Sequence, residues 1–384
     1  MKIKNTLIRP KLDRPQPANP YRWLCTFNSM TKGESVARVF SKSMVVISFL
    51  FIFTGSKGQD IHFSLYEEAG AIINPGLTGT FSGNFRVTTN IKNQWSSMGT
   101  PYNTYAAAFD KSISLNSNSS IGVGLHAFRD VAGSTRLSTT DLGLDLSGIV
   151  NLNKQQLISL GITGGILQKN IDPNTFHWPD QYQDGSFSPE NISEETIRAR
   201  SVLKFNTSAG LTWQYYSKSR SMVSNDQFRA NIGIAYHHAN RPEINFLENS
   251  DQKLNPKYIM HSNLFIGIKR SRLAVLPTAL VALQGPAKEI VAGSMVRLLL
   301  QPESKYTKLS KKMACSMGLF YRIGDAIIPT LLFEISSFRI GAAYDITTSS
   351  LNRVNAGRGG MEFSLTYVTP TPFSSNKTKR KSLL

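Results

Sequence analysis

The chain has 384 residues, 41% of them hydrophobic, a mean hydropathy of −0.18 and a formal net charge of +18. That average is too polar for a bundle of membrane-spanning helices, and the one continuous apolar run, Met44–Phe53, is too short to cross a bilayer as a helix. Residues 1–58 hold ten of the 43 Lys and Arg against two of the 25 Asp and Glu, and the remaining positive charge is scattered, so no nucleic-acid partner is expected.

The amino terminus comes first in chain order. Lys42 and Met44 precede VVISFLFIFTG, and Ser56-Lys57-Gly58 follows. A basic flank, a short apolar core and a small residue before the break predict a secretory signal peptide, with cleavage before Gln59. Residues 1–29 are rich in Pro and basic side chains without period, which predicts a translation start at Met30 or Met44 and assigns 1–58 to an extension plus signal. Cys25 lies ahead of the apolar run and Cys315 stands alone after it, so no intramolecular disulfide is expected once the signal is removed. Residues 59–83 are irregular, with Asn74-Pro75-Gly76 and Gly79 as turn signals, and are expected to sit in or under the domain that follows.

From residue 84 to 369 the texture changes to alternation. Leu142, Leu144 and Leu146 point one way and Asp141, Asp145 and Ser147 the other; Met361, Phe363, Leu365 and Tyr367 alternate likewise with Glu362, Ser364 and Thr366. A period of two is the mark of a strand with one apolar and one polar face. Strands are predicted over 84–95, 102–114, 120–131, 139–150, 155–168, 201–217, 227–239, 258–270, 273–284, 288–301, 313–323, 326–335, 337–348 and 359–369.

About fourteen strands, each near the ~9–11 residues that cross a bilayer at a tilt, predict a transmembrane antiparallel β-barrel. Tyr and Trp near strand ends (Trp95, Tyr102, Tyr215, Tyr216, Tyr258, Tyr367) fit an interfacial girdle. A soluble all-β sandwich shares the alternation and is the competing fold. The barrel reading places residues 370–384 in a basic periplasmic tail, a candidate contact for periplasmic partners or anionic lipid. It turns the long breaks 170–198 and 240–257 outward; Phe176, Trp178, Tyr182 and Phe187 in the first are candidate cargo-binding aromatics.

Signals for chemistry are weak. No metal-ligand spacing, nucleophile context or phosphate loop is present, so no enzyme activity, cofactor or metal is expected. His237 and His238 are neighbours on a predicted strand and should face opposite sides. Glu194-Glu195 lies in a polar loop, where solvated charge is the norm. Asp110, Asp141, Asp145, Arg322, Glu334, Arg339, Asp345 and Glu362 should face the lumen, because an Arg or Lys on the lipid face costs ~2–4 kcal/mol at midplane. They form either a stiffening polar network or a ligand path.

Several segments resemble the PorP/SprF family of type IX secretion and gliding systems. Asn74-Pro75-Gly76-Leu77-Thr78-Gly79 is similar to the family's Asn-Pro-Ala-x-x-Gly segment, with Gly76 where Ala is usual. Asn93-Gln94-Trp95 resembles its Arg-x-Gln-Trp element, and Pro101 to Asp110 its Pro-x-Thr-x-x-x-Ser-x-Asp strand, with Ala108 in place of Ser. GLFYRIGDAIIP (with Tyr321, Arg322 and Asp325), AAYDITTSSL (with Tyr344 and Asp345) and GGMEFSLTYV (with Glu362) look like its last strands.

The resemblance implies a non-enzymatic outer-membrane barrel, set in outer-membrane lipid, that assists secretion or surface anchoring of cargo. Its implied partners are a periplasmic ring, a peptidoglycan-binding lipoprotein or a secreted adhesin-like cargo. A porin or small-molecule transporter is the alternative.

Overall fold

A computed structural model describes residues 60–369, apart from 177, 184–185, 189, 192–198, 218–226, 247–251 and 303–311. The segment expected to be a signal peptide, Cys25, the Glu194-Glu195 pair and the basic tail lie outside the described residues.

Fourteen long strands close into one antiparallel barrel. In chain order they are β1 (Phe85–Gln94), β2 (Tyr102–Ser114), β3 (Ser119–Ala132), β4 (Leu137–Asn151), β5 (Gln156–Asn170), β8 (Ser201–Tyr216), β9 (Phe228–His237), β10 (Lys257–Gly267), β11 (Leu273–Gln284), β12 (Ala287–Gln301), β13 (Met313–Arg322), β14 (Ala326–Ile335), β15 (Phe338–Thr347) and β16 (Arg358–Val368). Two short strands, β6 (Tyr182–Gln183) and β7 (Ser186–Phe187), pair with each other outside the barrel. The break between β5 and β8, read from sequence as strandless, therefore carries a small hairpin.

Each barrel strand pairs with its neighbour in sequence, and β1 pairs with β16 to close the ring, with Arg86 opposite Val368 and Gln94 opposite Gly360. Closure leaves the barrel itself without a free strand edge. β1 begins and β16 ends at the same rim, called here the terminal rim; the opposite one is the distal rim.

The two faces of the wall are inverted relative to a soluble protein. Leu144, Leu160, Phe205, Met317 and Leu319 are among the most exposed residues, whereas Asp110, Asp145, Arg322 and Glu362 are buried. Polar-in and apolar-out alternation on a closed barrel is the outer-membrane arrangement and rules out the sandwich.

Aromatic side chains gather at both rims. Phe338 and Tyr367 lie 4.8 Å apart, and Tyr215 and Phe228 5.9 Å apart, at the terminal rim. Trp95 and Tyr102 (5.0 Å) and Tyr236 and Tyr258 (5.0 Å) sit at the distal one. Trp95 adopts a left-handed backbone (φ 59°), which ends β1 before the residue the sequence suggested.

Two prolines loosen the wall. Pro277 on β11 pairs with Ser294 on β12, but its other side falls in a gap of the β10–β11 ladder between Asn263–Thr278 and Ile266–Val275. Pro329 on β14 leaves a similar gap toward β15. A proline has no N–H to give to the neighbouring strand.

Candidate functional site in the barrel lumen

The barrel is filled by its own amino-terminal segment. Residues 60–83 contain three short helical turns, Tyr66–Ala69, Gly70–Ile73 and Pro75–Leu77, and bury Phe63, Leu65, Tyr66, Ile73, Leu77 and Phe81. No alternation exists here because the segment is not part of the wall; it is a plug that meets strands on all sides.

At the distal rim Asp60 is fixed by β11 and by the residue after β9. Its carboxylate meets His238 Nε2 at 2.6 Å and accepts from Gln284 Nε2 at 2.8 Å, while its N–H donates to Gln284 Oε1 at 2.9 Å. Burial opposes the charged form, but His238, Lys257 and Lys169 outweigh it and hold the Asp60 carboxyl well below the usual range. From His238 the network continues along the inner wall through Asn206, Asp141, His126 and Asp145.

The sequence expectation for the two histidines is corrected here. His238 lies just past the end of β9 with φ 57°, so the chain turns and its ring enters the lumen. His237 also points inward, meeting Ser208 Oγ at 3.1 Å and the Ile73 carbonyl at 3.0 Å.

Midway down, the plug backbone binds strand carboxylates. Ser64 and Leu65 donate their N–H groups to Glu362 at 2.6 and 3.2 Å, and the Ser64 hydroxyl donates to Asp345 at 2.6 Å. Lys92 and Arg322 close this cluster. Arg322 donates to Asp345 and Asp325 at 2.9 Å each and to Ser64 Oγ at 2.8 Å, and lies 3.2 Å from Glu289. Lys92 Nζ lies 3.5 Å from Asp345 and donates to the His62 carbonyl and Ser64 Oγ. Burial, together with Lys92, Arg322 and Lys257, keeps the His62 imidazole neutral far below its ordinary range.

Near the terminal rim Glu68 accepts from Arg339 at 2.7 Å and from Thr366 Oγ1 at 2.8 Å. Its neighbour Glu67 is held by burial at a pKa of about 7, against an ordinary 4.5, with Thr278 and Arg339 opposing the rise and Glu68 adding to it. An exposed Glu67 loses its proton near pH 4.5 while the seated one keeps it until about 7, so seating is favoured most at low pH and weakens as pH rises through 7. Glu67→Gln is therefore expected to slow hydrogen exchange across residues 60–83 at pH 8 and to leave it unchanged at pH 4.

The plug then crosses to the opposite wall at Asn74, which is fully buried. Its Oδ1 accepts from Gly76 N–H at 2.8 Å, closing a turn that Pro75 pre-forms. Its Nδ2 points at the carbonyls of Leu211 and Ile234 and at Thr212 Oγ1, each at 3.2 Å, and at His261 Nε2 at 3.0 Å. One side chain thus ties the plug to β8, β9 and β10.

The wall admits this close approach because it is glycine where the plug touches it. A Cβ on Gly210 would meet Asn74 Oδ1, one on Gly161 the Pro75 carbonyl, and one on Gly122 the Thr78 carbonyl. Glycines inside strands mark just such backbone approaches. The last anchor is Asp110, which accepts from Gly79 N–H at 2.7 Å and makes a two-pronged pair with Arg86, itself 4.9 Å over the Phe81 ring.

The sequence-selected residues separate into four groups. Asn74, Pro75, Gly79, Gln94, Asp110, Arg322, Asp345 and Glu362 are buried in the plug or on the lumenal wall, with Asp325 beside Arg322 at the distal rim. Tyr321 and Tyr344 face outward, at 45% and 38% exposure. Trp95 meets Tyr102 edge to face at the distal rim. The loop aromatics pair locally, Phe176 with Trp178 at 5.5 Å and Tyr182 with Phe187 at 5.7 Å, on the distal side. The glycine cradle and the anchors Glu67, Glu68 and Asp60 were not selected from sequence. Among the described residues no group of His, Cys, Asp and Glu is placed to hold a metal ion.

Three solved structures are similar to parts of this chain. A FadL homologue from Pseudomonas aeruginosa covers 78% of this chain and 94% of its own at 12% identity, with a TM-score of 0.41. BamA from Haemophilus ducreyi lacking POTRA domains 1–3 covers 75% and 70% at 10% identity, with a TM-score of 0.37. A TodX monoaromatic hydrocarbon channel mutant covers 79% and 94% at 10% identity, with a TM-score of 0.37. No curated protein sequence matches the chain. A family model described as type IX secretion system membrane protein PorP/SprF matches residues 55–367, so this closed barrel belongs to the PorP/SprF family of type IX secretion membrane proteins.

Proposed function

We propose that the protein is a non-catalytic outer-membrane component of a type IX secretion or gliding system, assisting the secretion or surface anchoring of cargo proteins. In this reading a signal peptide within residues 1–58 exports the chain, both termini of the barrel lie on the periplasmic side, and the distal loops face outward. The distal connections 171–200 and 238–256 are longer than any at the terminal rim, as is usual for outward loops.

The observation that carries the proposal is the plug. A diffusion porin needs a wide aqueous path, whereas here residues 60–83 are clamped to the wall from rim to rim by Asp60, Ser64, Glu68, Asn74 and Gly79. A filled barrel suits protein contact at its rims better than solute flow through its middle. The partners are then a periplasmic ring, a peptidoglycan-binding lipoprotein or a secreted adhesin-like cargo. The exposed distal aromatics, Tyr182 foremost at 49% exposure, are the candidate cargo contact.

The test is affinity capture of the tagged protein from detergent-solubilised outer membrane, followed by mass spectrometry. Recovery of a secreted protein with its carboxy-terminal domain, or of periplasmic ring and peptidoglycan-binding subunits, supports the proposal. Recovery of neither, together with steady ion conductance of the purified barrel in a planar bilayer, returns the porin.

A further inference from the structure

Positive charge is unevenly placed on this barrel. The turn between β10 and β11 at the terminal rim presents Lys269, Arg270 and Arg272, all exposed. Next to it along the same arc, Lys312 leads into β13 with its side chain 39% exposed. The distal side has the opposite sign in sequence: residues 171–200 hold six Asp and Glu against two Arg.

The basic arc continues into the lumen mouth. Arg229 on β9 and Arg297 on β12 both lie over the Phe265 ring, at 4.8 and 5.8 Å. Arg229 also donates to Gln227 Oε1, at 2.7 Å from Nη2. Arg297 forks onto Glu334 at 2.8 Å through both Nε and Nη2, and Lys312 Nζ reaches the same carboxylate at 3.1 Å. With Arg339 bound to Glu68, the mouth sets Arg229, Arg297, Lys312 and Arg339 against Glu334, Glu68 and Glu67. Adding the exposed turn leaves the described part of this rim clearly cationic.

We propose that the terminal rim from β9 to β13 is a docking surface for an acidic polypeptide segment. The segment lies along Lys269, Arg270 and Arg272 and directs carboxylates toward Arg229 and Lys312 at the mouth. A polypeptide fits better than lipid for two reasons. Headgroups surround a barrel, yet the β2–β3 turn (residues 115–118) and Ser336-Ser337 between β14 and β15 carry no charge and the β4–β5 turn carries Lys154 alone, so the described cations concentrate in one arc. Moreover, the half-buried Arg229 sits inside the mouth over Phe265, set back from the outer wall where bilayer headgroups lie. The docking chemistry stands on this charge arrangement alone; only its assignment to the periplasm rests on the function proposed above.

The probe is a fluorescent twelve-residue peptide of alternating Glu and Gly, titrated by anisotropy onto the full-length barrel in nanodiscs of neutral phosphatidylcholine at low salt. Saturable binding that weakens steeply with salt is expected, since exposed charges are screened beyond ~10 Å at 0.1 M. The combined K269E, R270E and R272E variant should bind about tenfold or more weakly. The distal variant Arg241→Glu should bind as the parent does. An unchanged heat-modifiable gel shift confirms that each variant is folded.

Absence of saturable binding, or equal binding by the triple variant, overturns the proposal. If the triple variant instead loses retention on phosphatidylglycerol vesicles while the peptide binds neither form, the arc is a lipid contact. None of these outcomes depends on whether cargo or ring subunits are captured from membranes.

Discussion

Replacing Asn74 by leucine is expected to unseat the plug while leaving the barrel closed. Asn74 is fully buried, and its amide serves as donor to three strands and as acceptor for the turn at Gly76. Leucine fills a similar volume but leaves the Leu211 and Ile234 carbonyls, the Thr212 hydroxyl and the Gly76 N–H without this partner. Stranding even one such buried group costs about 1–3 kcal/mol.

The predicted readout is hydrogen exchange. Amides of residues 60–83 should exchange about tenfold faster or more, with the barrel strands still protected. Asn74→Asp separates two causes, because it keeps the acceptor that forms the turn and removes the donor that reaches the wall. If Asp behaves like the parent, the turn alone seats the plug and the wall contacts matter little. Gly210→Ala should act in the same direction as leucine, since its new Cβ would meet Asn74 Oδ1.

The wall and the plug differ in how much the sequence discloses. In the wall, Leu142, Leu144 and Leu146 against Asp141, Asp145 and Ser147 announce both the strand and its two faces, because a side-chain period of two leaves a strand little freedom. The polar face could be assigned to the lumen for the same reason: a charge has nowhere else to go in a bilayer. Closure of the ring, β1 on β16, follows only from the even strand count and cannot be read from any local pattern.

The plug has no period at all. Its position is fixed by contacts far apart in sequence, such as Ser64 with Glu362 or Asn74 with His261, and these leave no local signature. Gly122, Gly161 and Gly210 read in isolation as weak points in strands. They become intelligible only as the places where another backbone arrives. His238 shows the limit of the alternation rule itself. One left-handed residue past the strand end reverses the face that counting assigns.

Arg322→Met is the second large effect expected, and it falls on the barrel as a whole. Arg322 is buried and sits among Asp345, Asp325, Glu289 and the Ser64 hydroxyl. Methionine approximates its stem but leaves buried carboxylates with less compensating charge. Removing one partner of a buried pair costs about 3–5 kcal/mol, more than the intact pair contributes, because the partner left behind has lost its solvation and gained nothing.

The midpoint of thermal unfolding, followed by the loss of the heat-modifiable band, should drop markedly. Arg322→Met combined with Asp345→Asn should recover much of the loss, since the stranded charge is then removed as well. Lys92, 3.5 Å from Asp345, limits the damage to that carboxylate, so Glu289 should account for part of what the double variant leaves unrecovered.

A single variant within about 0.5 kcal/mol of the parent would contradict this account, since only surface-like sites tolerate such a change so cheaply. The carboxylates would then be reaching water inside the lumen. That outcome would bear on function as well as stability. A wetted charge cluster at Arg322 implies an aqueous route past the plug, whereas a dry one implies a barrel stiffened by its own amino-terminal segment and available to partners only at its rims.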